Sequence, residues 1–494
     1  MIELDGESLT IAQTREIAGG AQVGLSQPAV ERMTASRAVI ERMAGGYDAV
    51  YGVNTGVGML ADVRISAGDL QQLQRNVVRS HAAGCGDPLP REVIRAMMAI
   101  RANVLAKGYS GIRPCVAQML CGLLNRGVTP VVPSQGSAGA SGDLAPLAHM
   151  ALVLIGEGAA EIQDRVYAGA EALRTAGLEP LELQAKEGIS LVNGTQAMLS
   201  IGCLELLAAE TLAESADTIC AMTLDALRGS RRAFDARIHE ARPHAGQKLT
   251  ANKLARLLEG SEILASHAGC GRVQDAYSLR CAPQVHGAVR DALAEASRVF
   301  TLELNGATDN PLVFGEEVLS GGNFHGQPLA LQLDFLAIAL CSLAGISERR
   351  TDRLVNPLLN EDLSPFLAGH AGLESGLMMA QVTAAALVAE NRVLATPASP
   401  GSITTSGNKE DFVSMGMTSA LKLMRVVANT RMVLAIEALA AARALDLLAP
   451  LRTSDLLERA RVRIREASPA WTGDRPPAPE IAAIGNLIAS GALL

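Results

Sequence analysis

Gly136-Ser137-Ala138-Gly139-Ala140-Ser141-Gly142-Asp143-Leu144-Ala145-Pro146-Leu147-Ala148-His149 is the stretch from which the rest of this chain is read. Its first seven residues are all Gly, Ala or Ser, which have little side chain to pack and much conformational freedom to lose. At its centre, Ala140-Ser141-Gly142 carries a specific chemical possibility. Gly142 has no Cβ, so its amide nitrogen can approach the carbonyl carbon of Ala140 and close a five-membered ring. Loss of water from that ring and from the Ser141 side chain leaves an exocyclic methylidene on an imidazolone. That group is an electrophile, a function no ordinary side chain provides. A lone Ala-Ser-Gly is more commonly a flexible loop before a helix, so the flanks and the rest of the chain decide.

The bulk composition narrows the field. The 494 residues are 49% hydrophobic but only 3% aromatic. That balance favours helix over strand and is enough chain for more than one domain core. Net charge is −8 and no run of five basic residues occurs, which argues against nucleic acid and anionic membrane as partners. The eight cysteines are scattered with no CxxC pair, the pattern of reduced, buried thiols in a cytoplasmic protein. No signal-peptide pattern opens the sequence, and no charge-free run of 18 apolar residues suggests a membrane span. The expectation is a cytoplasmic protein that takes a small molecule.

Along the chain, Ser26 and Pro28 start a helix that Gly45-Gly46 stops. Tyr51 to Gly58 is a glycine-rich loop, and residues 69 to about 126 are helical in pattern. A short apolar helix is expected from Leu144 to about Ile155, and a hairpin-like excursion within 158–190. Residues 197–230, 331–351, 376–395 and 415–449 read as long helices, the last apolar almost all round. The organisation expected is a loop-rich helical domain over 1–200 and a long-helix body over 201–494, joined at a soft boundary. His239 and His244 look like a zinc pair, but five-residue spacing with an intervening proline puts them on different faces, and no metal site is expected.

The fourteen-residue opening stretch resembles the signature of the histidine/phenylalanine/tyrosine ammonia-lyase family, whose members make 4-methylidene-imidazol-5-one (MIO) from their own Ala-Ser-Gly. Further blocks match in order along almost the whole chain. Tyr51-Gly52-Val53-Asn54-Thr55-Gly56 is similar to the loop whose tyrosine is the family's acid/base, although Val57 stands where Phe is usual. Asn193-Gly194-Thr195 matches the block whose Asn polarises the MIO carbonyl and touches substrate. Gln274-Asp275-Ala276-Tyr277-Ser278-Leu279-Arg280 resembles the block whose Arg holds the substrate carboxylate, with Gln274 and Tyr277 lining the site. Phe324 corresponds to an aromatic packed beside MIO.

Two positions bear on the substrate. Ser80-His81 stands where histidine enzymes carry Ser-His, and Glu410 stands where a carboxylate is expected at the substrate ring. Gly326-Gln327-Pro328 is closer to tyrosine-type members, and Lys409 and Phe412 replace the usual Gln and His.

The resemblance implies a mainly α fold, a long-helix bundle with a loop-rich N-terminal half, of the ammonia-lyase/fumarase-like architecture. It implies MIO formed from Ala140, Ser141 and Gly142 with no external cofactor, and a homotetramer with each active site assembled from several chains. The catalytic set it implies adds Tyr51, Asn193, Tyr277 and Arg280, with Ser80, His81, Gln274, Phe324 and Glu410 binding substrate. The expected reaction is elimination of ammonia from L-histidine to trans-urocanate, a step of histidine catabolism. A tyrosine or phenylalanine ammonia-lyase, or a 2,3-aminomutase, stays open as an alternative. A non-catalytic structural relative is the reading from another class, and a scaffold would have no need of these residues together.

Overall fold

The computed structural model describes residues 1–493. About 59% of the chain is helical, which makes the fold mainly α, and the strands are short pieces of two to four residues. Local signals set the helix ends. The helix Gln27–Ala44 starts at Ser26, whose side chain accepts from the Ala29 amide, has Pro28 in its first turn, and stops at Gly45. Ile11–Ala18, not anticipated from the sequence, opens with a capping box between Thr10 and Gln13. The helical pattern from 69 to 126 resolves into three helices, Leu70–His81, Arg91–Ala106 and Pro114–Asn125. A strand at Cys85–Pro88 interrupts them.

The chain divides into two units, and neither is a single stretch. The first holds 1–204, 297–334 and 397–421; the second holds 205–296, 335–396 and the residues from Lys422 onward. The linear division expected near residue 200 thus assigned to the second body two segments that pack with the first unit.

In the first unit the helix Arg91–Ala106 is buried from Val93 to Ala106, and this burial takes in Arg95, Arg101 and Asn103. Three strands, Thr129–Pro130, Ala159–Ile162 and Arg165–Ala168, form an antiparallel sheet. The last two are the hairpin expected in this region, turned by Gln163 and Asp164 at φ 50° and 62°. Strand Pro133–Gln135 pairs with Cys85–Pro88 and delivers the chain into the Gly136 loop. Helix Leu144–Leu154 leaves that loop.

In the second unit a chain of fully buried polar groups ties helices together. His286 Nδ1 lies 2.7 Å from Asp217 Oδ1, its Nε2 lies 3.2 Å from Arg350, and Arg350 grips both oxygens of Glu437 at 2.6 and 2.9 Å. Thr223 and Ser347 also donate to Glu437. Each buried charge therefore has an opposite charge and hydrogen bonds, the condition for burying it at all.

Helices Gln196–Ala226 and Gln327–Val355 are long and apolar enough by length and composition to cross a membrane. Of their most apolar windows, 67% and 56% is buried inside the protein, as in core helices. Acidic residues such as Glu205, Asp217 and Asp334 interrupt both. All eight cysteines are free thiols. Cys121, Cys203 and Cys220 are buried, and burial pushes the Cys121 and Cys220 thiols up to about 12. Cys85 and Cys270 are exposed, so the expectation of buried thiols holds only for part of the set.

Candidate active site

A cleft of about 620 Å³ lies in the first unit. Six of the residues singled out in the sequence line it: Tyr51, His81, Ser141, Asn193, Phe324 and Glu410. They come from six separate stretches of chain, and Val77, Leu144, Ile189 and Val192 give it apolar walls.

The Gly136 loop is held from two sides. The Met415 amide donates to Ala138 O at 3.0 Å, and the Ser414 amide and hydroxyl reach Gly139 O. On the other side the Asp143 amide donates to Gly194 O at 2.6 Å and the Gly194 amide to Ser141 O at 3.3 Å. Gly142 takes φ +74°, and a Cβ there would lie 2.1 Å from Gly194 O. Only glycine fits. Among the described residues, the Gly142 amide nitrogen and the Ala140 carbonyl oxygen have no hydrogen-bond partner. The two groups that must join to close a ring are therefore unengaged. Ser141 carries its hydroxyl toward the cleft and donates to Glu410 Oε1 at 3.1 Å. The other oxygen of Glu410 accepts from Thr405 Oγ1 at 2.8 Å.

Asp143 is the residue that the sequence reading passed over. It is fully buried, accepting from the Met198 amide at 2.8 Å and Ser137 Oγ at 3.2 Å. Burial raises its carboxyl to about 7 against these hydrogen bonds. The signal available was its position: the sole acid in a fourteen-residue run, next to the tripeptide.

Asn193 ends the short helix Glu187–Val192 and is buried. Its amide nitrogen donates to Asp309 Oδ1 at 3.2 Å and Asn310 O at 3.0 Å. Both partners are acceptors, so the reverse amide orientation would set oxygen against oxygen. With both N–H groups committed, Oδ1 is the atom left for a ligand. Asp309 is itself clamped by two fully buried cations, Lys186 at 3.3 Å and Arg101 at 3.9 Å. Burial lowers both, Arg101 to about 10. Its side-chain partners Asn193 and Lys186 lie over a hundred positions away, so spacing along the sequence does not reveal these contacts.

The Tyr51 hydroxyl oxygen accepts from the Gly58 amide at 3.3 Å, which leaves its hydrogen free. His81 closes the helix Leu70–His81, and its Nδ1 lies 2.7 Å from Val77 O. A carbonyl only accepts, so Nδ1 carries the hydrogen and a neutral ring keeps Nε2 as an acceptor. Ser80 is exposed and does not line the cleft; its Oγ lies 3.2 Å from His81 Nδ1. Lys409, adjacent to Glu410, also lines the cleft, and among the described residues it forms no ion pair. It does not pair with the neighbouring Glu410. Gln327 and Phe412 are not in the lining.

Gln274, Tyr277 and Arg280 are not in the lining either. They belong to the second unit, where the Arg280 guanidinium stacks on the Tyr277 ring at 4.6 Å and Tyr277 is 71% exposed.

A family model described as aromatic amino acid lyase matches residues 9–466. A histidine ammonia-lyase of Koribacter versatilis (strain Ellin345) is 58% identical, the match covering 100% of this chain and 98% of that protein. The crystal structure of histidine ammonia-lyase from Trypanosoma cruzi superposes with TM-score 0.92 at 44% identity, covering 100% of this chain and 94% of that one. Tyrosine aminomutase from Streptomyces globisporus superposes with TM-score 0.95 at 39% identity, covering 100% and 97%.

Proposed function

The chain belongs to the aromatic amino acid lyase family and is a carbon–nitrogen lyase; from that premise we propose that it eliminates ammonia from L-histidine to give trans-urocanate. The observation that carries the substrate is the presence of His81 and Glu410 in one cleft with Tyr51 and Ser141. An imidazole ring has one N–H to give and one nitrogen able to accept or take a proton. His81 Nε2 accepts from the first, and the Glu410 carboxylate accepts from the second once that nitrogen has taken a proton, as in the cationic ring. A phenyl or phenol ring would leave that carboxylate desolvated without a partner. Gln327, a departure toward tyrosine-type members, and Phe412, which replaces the usual His, are not in the cleft lining.

The family is MIO-dependent, and Ala140, Ser141 and Gly142 fit that group. The closing amide and carbonyl are unengaged, position 142 has no room for a Cβ, and Ser141 Oγ is at the cleft. Once formed, MIO supplies an electrophilic carbon for the substrate's α-amino group, and no external cofactor is needed. Tyr51, acting as its phenolate, takes the β-proton and becomes the phenol; that proton is barely acidic, so orientation and general-base action must lower the barrier together. Asn193 Oδ1 accepts from the substrate amine.

No guanidinium lines this cleft among the described residues, and Lys409 is the one lysine or arginine in its lining. Arg280 fills the role of carboxylate partner from a neighbouring copy in a homotetramer, where a guanidinium fork binds a carboxylate through two hydrogen bonds. Exposed apolar faces support such an assembly: Leu331, Phe335 and Ile338 share one side of a helix, and Met379, Val382 and Val393 one side of another. We place the protein in the cytoplasm, on the strength of its eight free thiols.

The test offers L-histidine, L-tyrosine and L-phenylalanine separately to purified protein and follows product absorbance. Urocanate forming fastest is expected. Coumarate or cinnamate forming faster would overturn the ring assignment while leaving the lyase chemistry standing.

A further inference from the structure

The Ser141 hydroxyl donates to Glu410 Oε1 while Thr405 pins Glu410 Oε2. A newly synthesised chain carries Ser141 as serine, so a contact made by its hydroxyl can act only before that hydroxyl is lost. We propose that Glu410 is the acid–base catalyst of the chain's own maturation, driving loss of the Ser141 hydroxyl. This rests on the reading that the tripeptide cyclises.

The step is an elimination across Ser141 Cα–Cβ. The Cα–H and Cβ–Oγ bonds break, the Cα=Cβ bond forms, and the Cα proton departs with the hydroxyl as water. Hydroxide is a poor leaving group and must be protonated as it goes. The Glu410 carboxylate accepts the Cα proton, made acidic by the adjoining ring carbonyl and imine, and returns it to Oγ. It ends in the state in which it began, and no outside reagent is consumed. Glu410 is the one carboxylate that hydrogen-bonds Ser141 Oγ among the described residues; Asp143 faces Ser137 and the Met198 amide instead. Two fixed points, Thr405 Oγ1 on Oε2 and Ser141 Oγ on Oε1, hold the carboxylate at the leaving atom, as general acid–base action requires. Thr405 is a positioning residue in this scheme. Its amide donates to Glu410 O at 2.9 Å, and the two form an isolated bridge across the loop 405–410.

The experiment follows full-length chain from cell-free synthesis by intact mass over time, with fragmentation of the peptide that holds residue 141. Wild type is expected to lose two waters. Glu410→Gln is expected to stop after one, cyclised with its serine hydroxyl retained, the second loss slowed by roughly 10²-fold. Loss of both waters at the wild-type rate, or a dehydrated but uncyclised residue 141, would overturn the proposal. If Glu410→Gln does not melt cooperatively, Glu410→Asp and Thr405→Val decide. Both keep a carboxylate and are expected to slow the second loss about tenfold, and wild-type rates in both would overturn it. An unmodified wild-type mass in protein that turns over substrate would instead remove the cyclisation reading itself.

Discussion

Asp143 and Asp309 are both fully buried carboxylates beside the tripeptide loop, and their surroundings give them opposite characters. Asp309 faces the Lys186 ammonium and the Arg101 guanidinium, so a charged carboxylate there is compensated. Among the described residues Asp143 has no cation against it, and burial pushes its carboxyl from the ordinary 3.8 to about 7. Between those values the folded chain holds the proton and the unfolded chain does not. Stability supplied by this group is therefore full below 3.8 and lost as pH rises through about 7. Asp143→Asn removes that dependence. Urea unfolding of both proteins across this range is expected to show the advantage of wild type over the variant shrinking as pH rises. A difference that stays flat with pH would contradict the assignment. Asp309 was not legible in the sequence, because the amide it orients, Asn193, lies 116 positions away. Tyr51, Asn193 and Glu410 were legible, because each sits in a short block of distinctive neighbours.

At the scale of elements, the site depends on two loops that cross with no side chain between them. Gly142 and Gly194 form an isolated parallel bridge, each at a positive φ. A Cβ on Gly194, at φ +157°, would lie 2.5 Å from both Gln196 Oε1 and Thr308 O. Gly194→Ala must push these groups apart, at a cost of about 1–3 kcal/mol. It also displaces the backbone that receives the Asp143 amide. The expected result is a lower melting temperature together with incomplete loss of the two waters, read by calorimetry and intact mass on one preparation. Wild-type values in both would show that the crossing tolerates a side chain. The glycines announced a tight loop in the sequence, but their partnership did not, since 52 residues separate them.

For the whole molecule, the cleft of one chain gathers Tyr51, His81, Ser141, Asn193 and Glu410, while Gln274, Tyr277 and Arg280 do not line it. The proposal that a neighbouring copy supplies Arg280 makes a strict prediction. Tyr51→Phe and Arg280→Ala proteins, each inactive alone, are mixed in denaturant and refolded together. Random assembly gives about one site in four an intact Tyr51 from one chain and an intact Arg280 from another, so about a quarter of wild-type activity returns. No recovery would mean that both residues must come from one chain. The sequence by itself determined the helical class, the loop with its tripeptide, and the short blocks that carry the candidate site, because backbone propensity and reactive spacing are local properties. Tertiary structure decided that residues 297–334 and 397–421 pack with the first 204 and that Glu410 meets the Ser141 hydroxyl. It also decided that Asp309 commits the Asn193 amide and that Lys409 stays unpaired. These are through-space facts between residues far apart in the chain, fixed by burial and the pairing of polar groups, which spacing along a sequence does not encode.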